Sequence, residues 1–208
     1  MRFSLNVRAF NSQSFQINRK MIIAYLGRNV KAYRRNFLKF LERLKLVCPV
    51  CGGKTTFHDD YSRHVHFSEE VEWITICRVK CSGCGKTHAI IPDFIKPYKH
   101  YSAADIELTL RDAEDGIPVE KIVTVASVPT IKRWIGEFRK FGGQAVGGLR
   151  AILNKVFGKT ISDIAIMGLK AFAAMEQMLE MLPAIESSGL AIGETNQWLT
   201  NHICGIYV

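Results

Sequence analysis

The sequence lacks the long apolar runs of a membrane protein and the signatures of several enzyme classes. No stretch approaches 18 uncharged apolar residues, and the first 20 residues have no continuous apolar core, so we expect neither a membrane span nor a signal peptide. GxSxG and HExxH do not occur, and the Gly-Lys-Thr tripeptides at 85–87 and 158–160 lack the first glycine of a phosphate-binding loop. We therefore expect no enzymatic activity and no small-molecule substrate.

Acidic residues are scarce in two parts of the chain. Residues 1–47 hold 11 Lys or Arg against Glu42 alone, and residues 121–159 hold 8 against Glu137 alone. The other two parts are mildly acidic, so the net charge of +9 is concentrated in two basic blocks. Such blocks favour contact with phosphates over an anionic membrane surface, and a solvated face without a partner is the remaining alternative for each.

Cysteine is sparse, but four of the six residues form two CxxC pairs. Cys48 and Cys51 make the first pair, and Cys81 and Cys84 make the second after 29 intervening residues. Each pair is followed by a glycine, where a tight turn aims backbone N–H groups at the sulfurs. Four thiolates complete the tetrahedral shell of Zn²⁺ and leave no open position, so we expect a structural zinc site. Unrelated core or disulfide cysteines are the alternative.

Four histidines lie in or beside the cysteine module, at His58, His64, His66 and His88. Any of them can act as a metal ligand in principle. Because four thiolates already fill a tetrahedral shell, we expect structural or surface roles for these imidazoles, such as hydrogen bonding to the backbone or contact with phosphate.

The pattern of apolar residues predicts an α+β chain that is mostly α. A small antiparallel zinc ribbon is followed by a three-helix helix-turn-helix and a helical tail. Ser102 is the expected N-cap of the first of these three helices. The expected parts are a basic segment with an amphipathic helix (1–46), the zinc ribbon (47–97), the helix-turn-helix (100–141) and the helical region (149–208), with a glycine-rich joint at 142–148.

The third helix of the expected helix-turn-helix, PTIKRWIGEFRKF, combines an apolar stripe with a basic free face. Ile131, Trp134, Ile135 and Phe138 recur at helical spacing, which predicts their burial. Basic side chains on the remaining face favour contact with DNA phosphates and base edges. The residues predicted to bind nucleic acid are Thr130, Lys132, Arg133, Arg139 and Lys140 on this helix, with Arg34 and Arg35 on the N-terminal helix.

The cysteine knuckles, the CGKTHAIIP run and the KRWIGEF segment resemble a known group of sequences. They are similar to bacterial proteins, common in Firmicutes, that form a domain family of unknown function and join a zinc ribbon to a transposase-like helix-turn-helix. That family in turn resembles the N-terminal DNA-binding regions of insertion-sequence transposases. The resemblance covers about residues 45 to 141. It implies that Cys48, Cys51, Cys81 and Cys84 carry the metal and that the helix from 129 to 141 reads DNA.

The function expected from the sequence is that of a zinc-containing protein that binds double-stranded DNA without a catalytic domain of its own. It would act in the cytoplasm, at the nucleoid in a bacterium, as a transcriptional regulator or as an accessory of a mobile element. One alternative is an adaptor that binds a protein partner, or a second copy of itself, through the zinc ribbon and the acidic, Met-rich C-terminal helices. RNA binding is the other alternative, since basic charge does not distinguish the two polymers.

Overall fold

One four-stranded sheet and four α-helices make up the part of the chain that the computed structural model describes, which is residues 21–24, 26, 29–43, 46–92, 94–162 and 167–181. In chain order the elements are β1 (Met21–Ala24), α1 (Val30–Arg43), β2 (Thr55–Phe67), β3 (Glu70–Cys81), β4 (Thr87–Pro92), α2 (Ala103–Glu114), a 3-10 turn (Val119–Lys121), α3 (Val128–Phe157) and α4 (Ala171–Glu180). None of these helices is long and apolar enough to cross a membrane.

The sheet is mixed, with strand order β1-β4-β3-β2. β1 runs parallel to β4, with Met21 opposite Ala89, whereas β3 pairs antiparallel with both of its neighbours. β2 and β3 form a long hairpin that turns at Ser68, whose φ is 53°. The expectation of a small antiparallel ribbon in a mostly α chain is therefore wrong. A strand from the N-terminal segment joins the sheet, and the hairpin extends well beyond the cysteines.

Helix α1 covers an edge of β3 that none of the described strands occupies. β4 pairs with β3 only across residues 78–80, so the carbonyl groups that precede residue 78 on this edge of β3 need other partners. The Tyr33 hydroxyl donates to the Thr75 carbonyl, and the Arg34 guanidinium donates to the Trp73 carbonyl at 2.6 Å. These bonds satisfy two carbonyl groups of the unpaired edge and hold α1 against the sheet.

Two apolar cores lie side by side, one in the sheet layer and one among the helices. The sheet core consists of side chains from β1 to β4, from α1 and from the flanking loops, chiefly Ile22, Leu26, Tyr33, Val65, Ile74, Ile76, Ile90, Ile91 and Ile95. The helical core centres on α3 and contains Ile106, Leu110, Ile131, Trp134, Leu149, Leu153, Phe172, Met175 and Met178. Burial of these side chains supplies the main driving force for folding.

The start of α2 joins the hairpin turn to the helical layer. Ser102 is the N-cap, as the sequence predicts, and its hydroxyl oxygen accepts the Asp105 N–H at 3.0 Å. The Asp105 carboxylate also accepts the backbone N–H of Ser68 at 3.0 Å, across the gap to the hairpin. One carboxylate therefore stabilises the N-terminus of α2 and also holds the hairpin turn in place.

The helix-turn-helix expected at residues 100–141 is wrong. The segment predicted as its second helix forms only the 3-10 turn Val119–Lys121, and an irregular stretch follows up to α3. That stretch is rich in β-branched residues, whose χ1 freedom is restricted in a helix. Val123 is 96% exposed, so packing does not compensate for this low propensity.

Helix α3 is 30 residues long and continues without a break through the stretch 142–148, which the sequence predicts as a joint. Each interior glycine costs about 1 kcal/mol relative to alanine. Ala145, Leu149 and Leu153 are fully buried, and their packing in the helical core offsets that cost. The helix ends at Gly158, whose φ of 62° gives a left-handed cap. The first nine residues of the expected tail thus belong to α3.

Helix α4 packs onto α2 and α3, and its apolar side chains join the helical core. The Glu114 carboxylate of α2 accepts the backbone N–H groups of Ala171 at 2.9 Å and Phe172 at 3.2 Å, which caps the start of α4. Arg111 of α2 pairs with Glu176 of α4 at 2.6 Å. The remainder of the expected C-terminal region, residues 182–208, lies outside the described residues.

Candidate functional site

The two cysteine pairs form turns of the same geometry. The Cys48 N–H donates to the Gly53 carbonyl at 2.9 Å, and the Cys48 carbonyl accepts the Gly52 N–H at 2.8 Å. In the second turn the Cys81 carbonyl accepts the Gly85 N–H at 3.0 Å. Gly52 and Gly85 have φ angles of 72° and 71°, which non-glycine residues rarely adopt. The repeated turn explains why a glycine follows each pair.

The two turns meet at the base of the sheet and bring four sulfur atoms together. The Sγ atoms of Cys48 and Cys84 are 3.5 Å apart, as are those of Cys51 and Cys81. These separations are far longer than a disulfide bond. They are close to the roughly 3.8 Å between sulfurs that each lie about 2.3 Å from one tetrahedral ion. Among the described residues, the four cysteines are the group whose ligand atoms all lie within 4.8 Å of one another, so they can hold a metal ion.

Backbone N–H groups donate hydrogen bonds to Cys81 Sγ and favour its thiolate form. The N–H groups of Cys84 and Gly83 donate to Cys81 Sγ at 3.5 and 3.3 Å, and these bonds lower the pKa of the Cys81 thiol to about 6. At Cys51 a backbone bond from Gly53 acts in the same direction, but the surrounding sulfurs prevail and raise the pKa to about 12. The crowding of sulfurs thus opposes ionisation of the Cys51 thiol, and a cation among the four sulfurs would favour its thiolate form.

A buried imidazole extends the metal centre beyond the four cysteines. His88 on β4 is only 1% exposed, and its Nε2 lies 3.2 Å from Cys48 Sγ. In the tautomer that carries its proton on Nε2, His88 donates to the sulfur, which reduces the negative charge of a thiolate and orients it. Sequence reasoning gave His88 a structural or surface role without identifying this partner. The signal available was its position four residues after Cys84, at the start of the next strand.

Helix α3 presents a basic surface to solvent, which we call the cationic face. Lys132 and Arg139 lie on one flank and Arg133 and Lys140 on the other, because residues seven apart project in nearly the same direction. All four are exposed. The line between the flanks is made of exposed glycines, namely Gly136, Gly143 and Gly147. The cationic face therefore has a shallow centre and charged margins.

The acid on α3 does not neutralise this surface. Glu137 turns toward Lys99, with both carboxylate oxygens accepting from Nζ at 2.6 and 2.7 Å. Lys132 has a distant partner in Glu120 at 3.9 Å, and Lys140 lies 5.1 Å from the centre of the Phe141 ring. Of the described acids, none forms a close ion pair with the cationic face.

The remaining predicted nucleic-acid residues are in different settings. Thr130 lies in the first turn of α3, with its hydroxyl 3.0 Å from that of Ser127. Arg34 is bound to the sheet by an ion pair with Glu72 at 2.9 Å in addition to its bond to the strand backbone. Arg35 is exposed on α1. The structure thus brings four of the predicted residues together on α3 and gives Arg34 a structural contact.

Comparison with known proteins finds a family model that matches part of the chain. Residues 48–134 match the family model described as Domain of unknown function (DUF6431). The matched segment begins at Cys48 and ends at Trp134, so it contains all four cysteines, α2 and the first residues of α3. The chain is therefore similar to this family in its metal centre and in the junction with the helical layer. No curated protein and no solved structure matches the chain.

Proposed function

We propose that this is a non-enzymatic, zinc-containing protein that binds double-stranded DNA through the cationic face of α3. The observation that carries the proposal is that face itself. Residues 128–157 contain six Lys or Arg and one acid, and that acid is bound to Lys99. A helix fits the major groove, and cationic side chains on it contact the phosphates of both groove walls.

The line of exposed glycines is a second reason to propose a phosphate polymer such as DNA as the ligand. Gly136, Gly143 and Gly147 leave the helix backbone uncovered, so a bulky ligand can approach closely along the centre of the face. Arg133 and Arg139 flank that line, and their planar guanidinium groups bind phosphate with two hydrogen bonds. From Lys132 to Lys140 the contacts extend over about 12 Å of helix axis.

The metal supports this surface from a distance. Four cysteine ligands in a tetrahedral arrangement favour Zn²⁺, and the complete thiolate shell makes its role structural. The ion closes the base of the sheet, while Lys99, in the segment that leaves the sheet, pairs with Glu137 on α3. Zinc thereby stabilises the layer against which the cationic helix is oriented.

The test is fluorescence anisotropy of zinc-loaded, full-length protein with a labelled duplex of random sequence, over a series of salt concentrations. Arg133→Ala with Arg139→Ala should weaken binding and reduce the steepness of its salt dependence by about 1.8 in log–log slope, since two phosphate contacts are lost. The matched control is Lys80→Ala with Lys86→Ala, which removes the same charge from exposed positions of β3 and the second cysteine turn. Equal effects of the two double variants would refute the assignment to α3.

The same experiment separates the alternatives. An RNA duplex of equal length, used as a competitor, tests whether the face prefers the A-form polymer. The adaptor hypothesis has less support, because Met175 and Met178 of the Met-rich segment are fully buried in the helical core and are not a docking surface. Duplex binding that is absent at moderate salt, together with capture of a protein by residues 182–208, would favour it.

A further inference from the structure

Three histidines meet at the junction between the hairpin and the helical layer. His64 and His66 are two residues apart on β2, so their side chains lie on one face, while Val65 between them is fully buried on the other. His100 comes from the segment that precedes α2 and stacks on His64, with ring centres 4.3 Å apart. The ring centres of His64 and His66 are 6.2 Å apart.

Backbone hydrogen bonds hold these three residues in place. The His66 N–H donates to the His100 carbonyl at 2.8 Å, and the His66 carbonyl accepts the Ser102 N–H at 2.9 Å. The segment at Tyr101 therefore pairs as a short parallel bridge with β2. These main-chain bonds fix the backbone of His100 beside that of His66.

We propose that His64, His66 and His100 form a second metal site, for a borderline divalent transition ion such as Ni²⁺, Cu²⁺ or Zn²⁺. Imidazole nitrogen is the ligand these ions favour. Three imidazoles that each bind one ion through nitrogen at about 2.1 Å have ring centres about 5 Å apart. The two separations of 4.3 and 6.2 Å lie on either side of that value.

Ligation requires the rings to turn. His64 and His100 are nearly parallel, at 15°, and the three imidazoles lack the convergence of the four sulfurs, whose ligand atoms all lie within 4.8 Å. His100 is exposed and the other two are partly exposed, which gives an ion a path of entry. Rotation of His66 would take its ring off Tyr101, on which it stacks with ring centres 5.0 Å apart.

The surroundings of His64 also favour the neutral form of its ring, which metal binding requires. Partial burial, and then the neighbouring His100, His66 and Arg63, lower the pKa of His64 below its usual value. A neutral ring keeps a lone pair for the ion at neutral pH. An ion at this position would bind β2 directly to the segment that leads into α2, and would strengthen the junction between the two layers. The proposal is independent of nucleic-acid binding.

The experiment uses untagged, full-length protein whose thiolate site is already filled with zinc. Nickel is titrated by calorimetry at pH 7.5, while a colorimetric zinc indicator reports any displacement from the cysteines. The wild-type protein should bind one equivalent of Ni²⁺ without releasing zinc. Trp73 lies 5.5 Å from His64, so its fluorescence should be quenched in the same titration.

The variants decide between this site and incidental binding. His64→Asn and His100→Asn should each weaken Ni²⁺ binding by more than the roughly 10-fold that loss of an outer-sphere partner costs. His58→Asn is the matched control, because His58 is an exposed histidine on the same strand outside the cluster. Trp73→Phe should abolish the quenching and retain the calorimetric equivalent. One equivalent of zinc and an unchanged circular dichroism spectrum show that each variant is folded. Unchanged affinity in His64→Asn, or equal loss in His58→Asn, would overturn the proposal.

Discussion

His88 Nε2 lies 3.2 Å from Cys48 Sγ, inside the sheet and out of contact with solvent. This contact joins β4 to the first cysteine turn, which precedes the hairpin by sequence. A buried N–H donor at a thiolate withdraws charge from the sulfur and excludes water from the metal–sulfur bond. We therefore expect the imidazole to shield a bound metal and to orient one of its ligands.

The first prediction concerns this imidazole. His88→Phe keeps a ring of similar size but removes the donor, so zinc should pass to a competing chelator about 10-fold faster than from the wild-type protein. His88→Gln retains an N–H donor and should give a smaller increase. The rate is measured by the absorbance of the chelator complex after stopped-flow mixing. If His88→Phe released zinc at the wild-type rate, the contact would have no role in protecting the metal.

The second prediction concerns the metal itself. Cys51→Ser should abolish stoichiometric zinc binding, because it removes one of the four thiolate ligands. The midpoint of thermal unfolding should fall as well, since metal binding is coupled to folding of the small segment around the cysteines. Cys77→Ala is the matched control, since Cys77 is buried in the sheet core and is not part of the sulfur cluster. It should lose some packing energy but keep one zinc per chain, as measured by elemental analysis. Loss of zinc from both variants would mean that unfolding, and not ligand removal, releases the metal.

The cysteine cluster could be predicted from sequence because its determinants are local. Each CxxC turn is closed by bonds within six residues, and a glycine with positive φ completes it, as at Gly52 and Gly85. The pairing of β1 with β4 could not be predicted in this way. Met21 lies opposite Ala89, and nothing in four residues of β1 specifies a partner so distant in the chain.

The helical layer was mispredicted for the opposite reason, since local signals there are overridden by packing. Glycines at 142–148 indicate a break, yet the burial of Ala145 and Leu149 in the helical core maintains α3 across them. At Val123 no packing is available, so the β-branched run stays irregular. The contacts of Glu137 with Lys99 and of His64 with His100 likewise depend on tertiary folding, which single-sequence periodicity does not contain.

The third prediction tests the ion pair between Lys99 and Glu137. Their side chains are 16% and 36% exposed, so Glu137→Gln leaves a partly buried cation without its partner. We expect the free energy of unfolding to fall by about 1–2 kcal/mol, between the values for exposed and buried pairs. Asp115→Asn is the matched control, because its pair with Lys170 is 65% and 50% exposed, and should cost less than about 0.5 kcal/mol. The free energy of unfolding of both variants is measured by denaturant unfolding of the zinc-loaded protein. Equal losses would show that partial burial does not strengthen the pair between Lys99 and Glu137.

The last prediction separates two adjacent glycines of α3. A Cβ at Gly143 meets nothing within 4 Å, so Gly143→Ala should raise the free energy of unfolding by about 0.5–1 kcal/mol through higher helix propensity. A Cβ at Gly142 would lie 3.0 Å from Cε2 of Phe138, whose ring stacks on Phe172 at 4.7 Å, so Gly142→Ala should lose that gain by displacing the ring.

Gly143 also lies on the cationic face. If its missing side chain serves close approach to DNA, Gly143→Ala should bind duplex several-fold more weakly although it folds more stably. Stabilisation with unchanged binding would restrict the contact to the charged flanks.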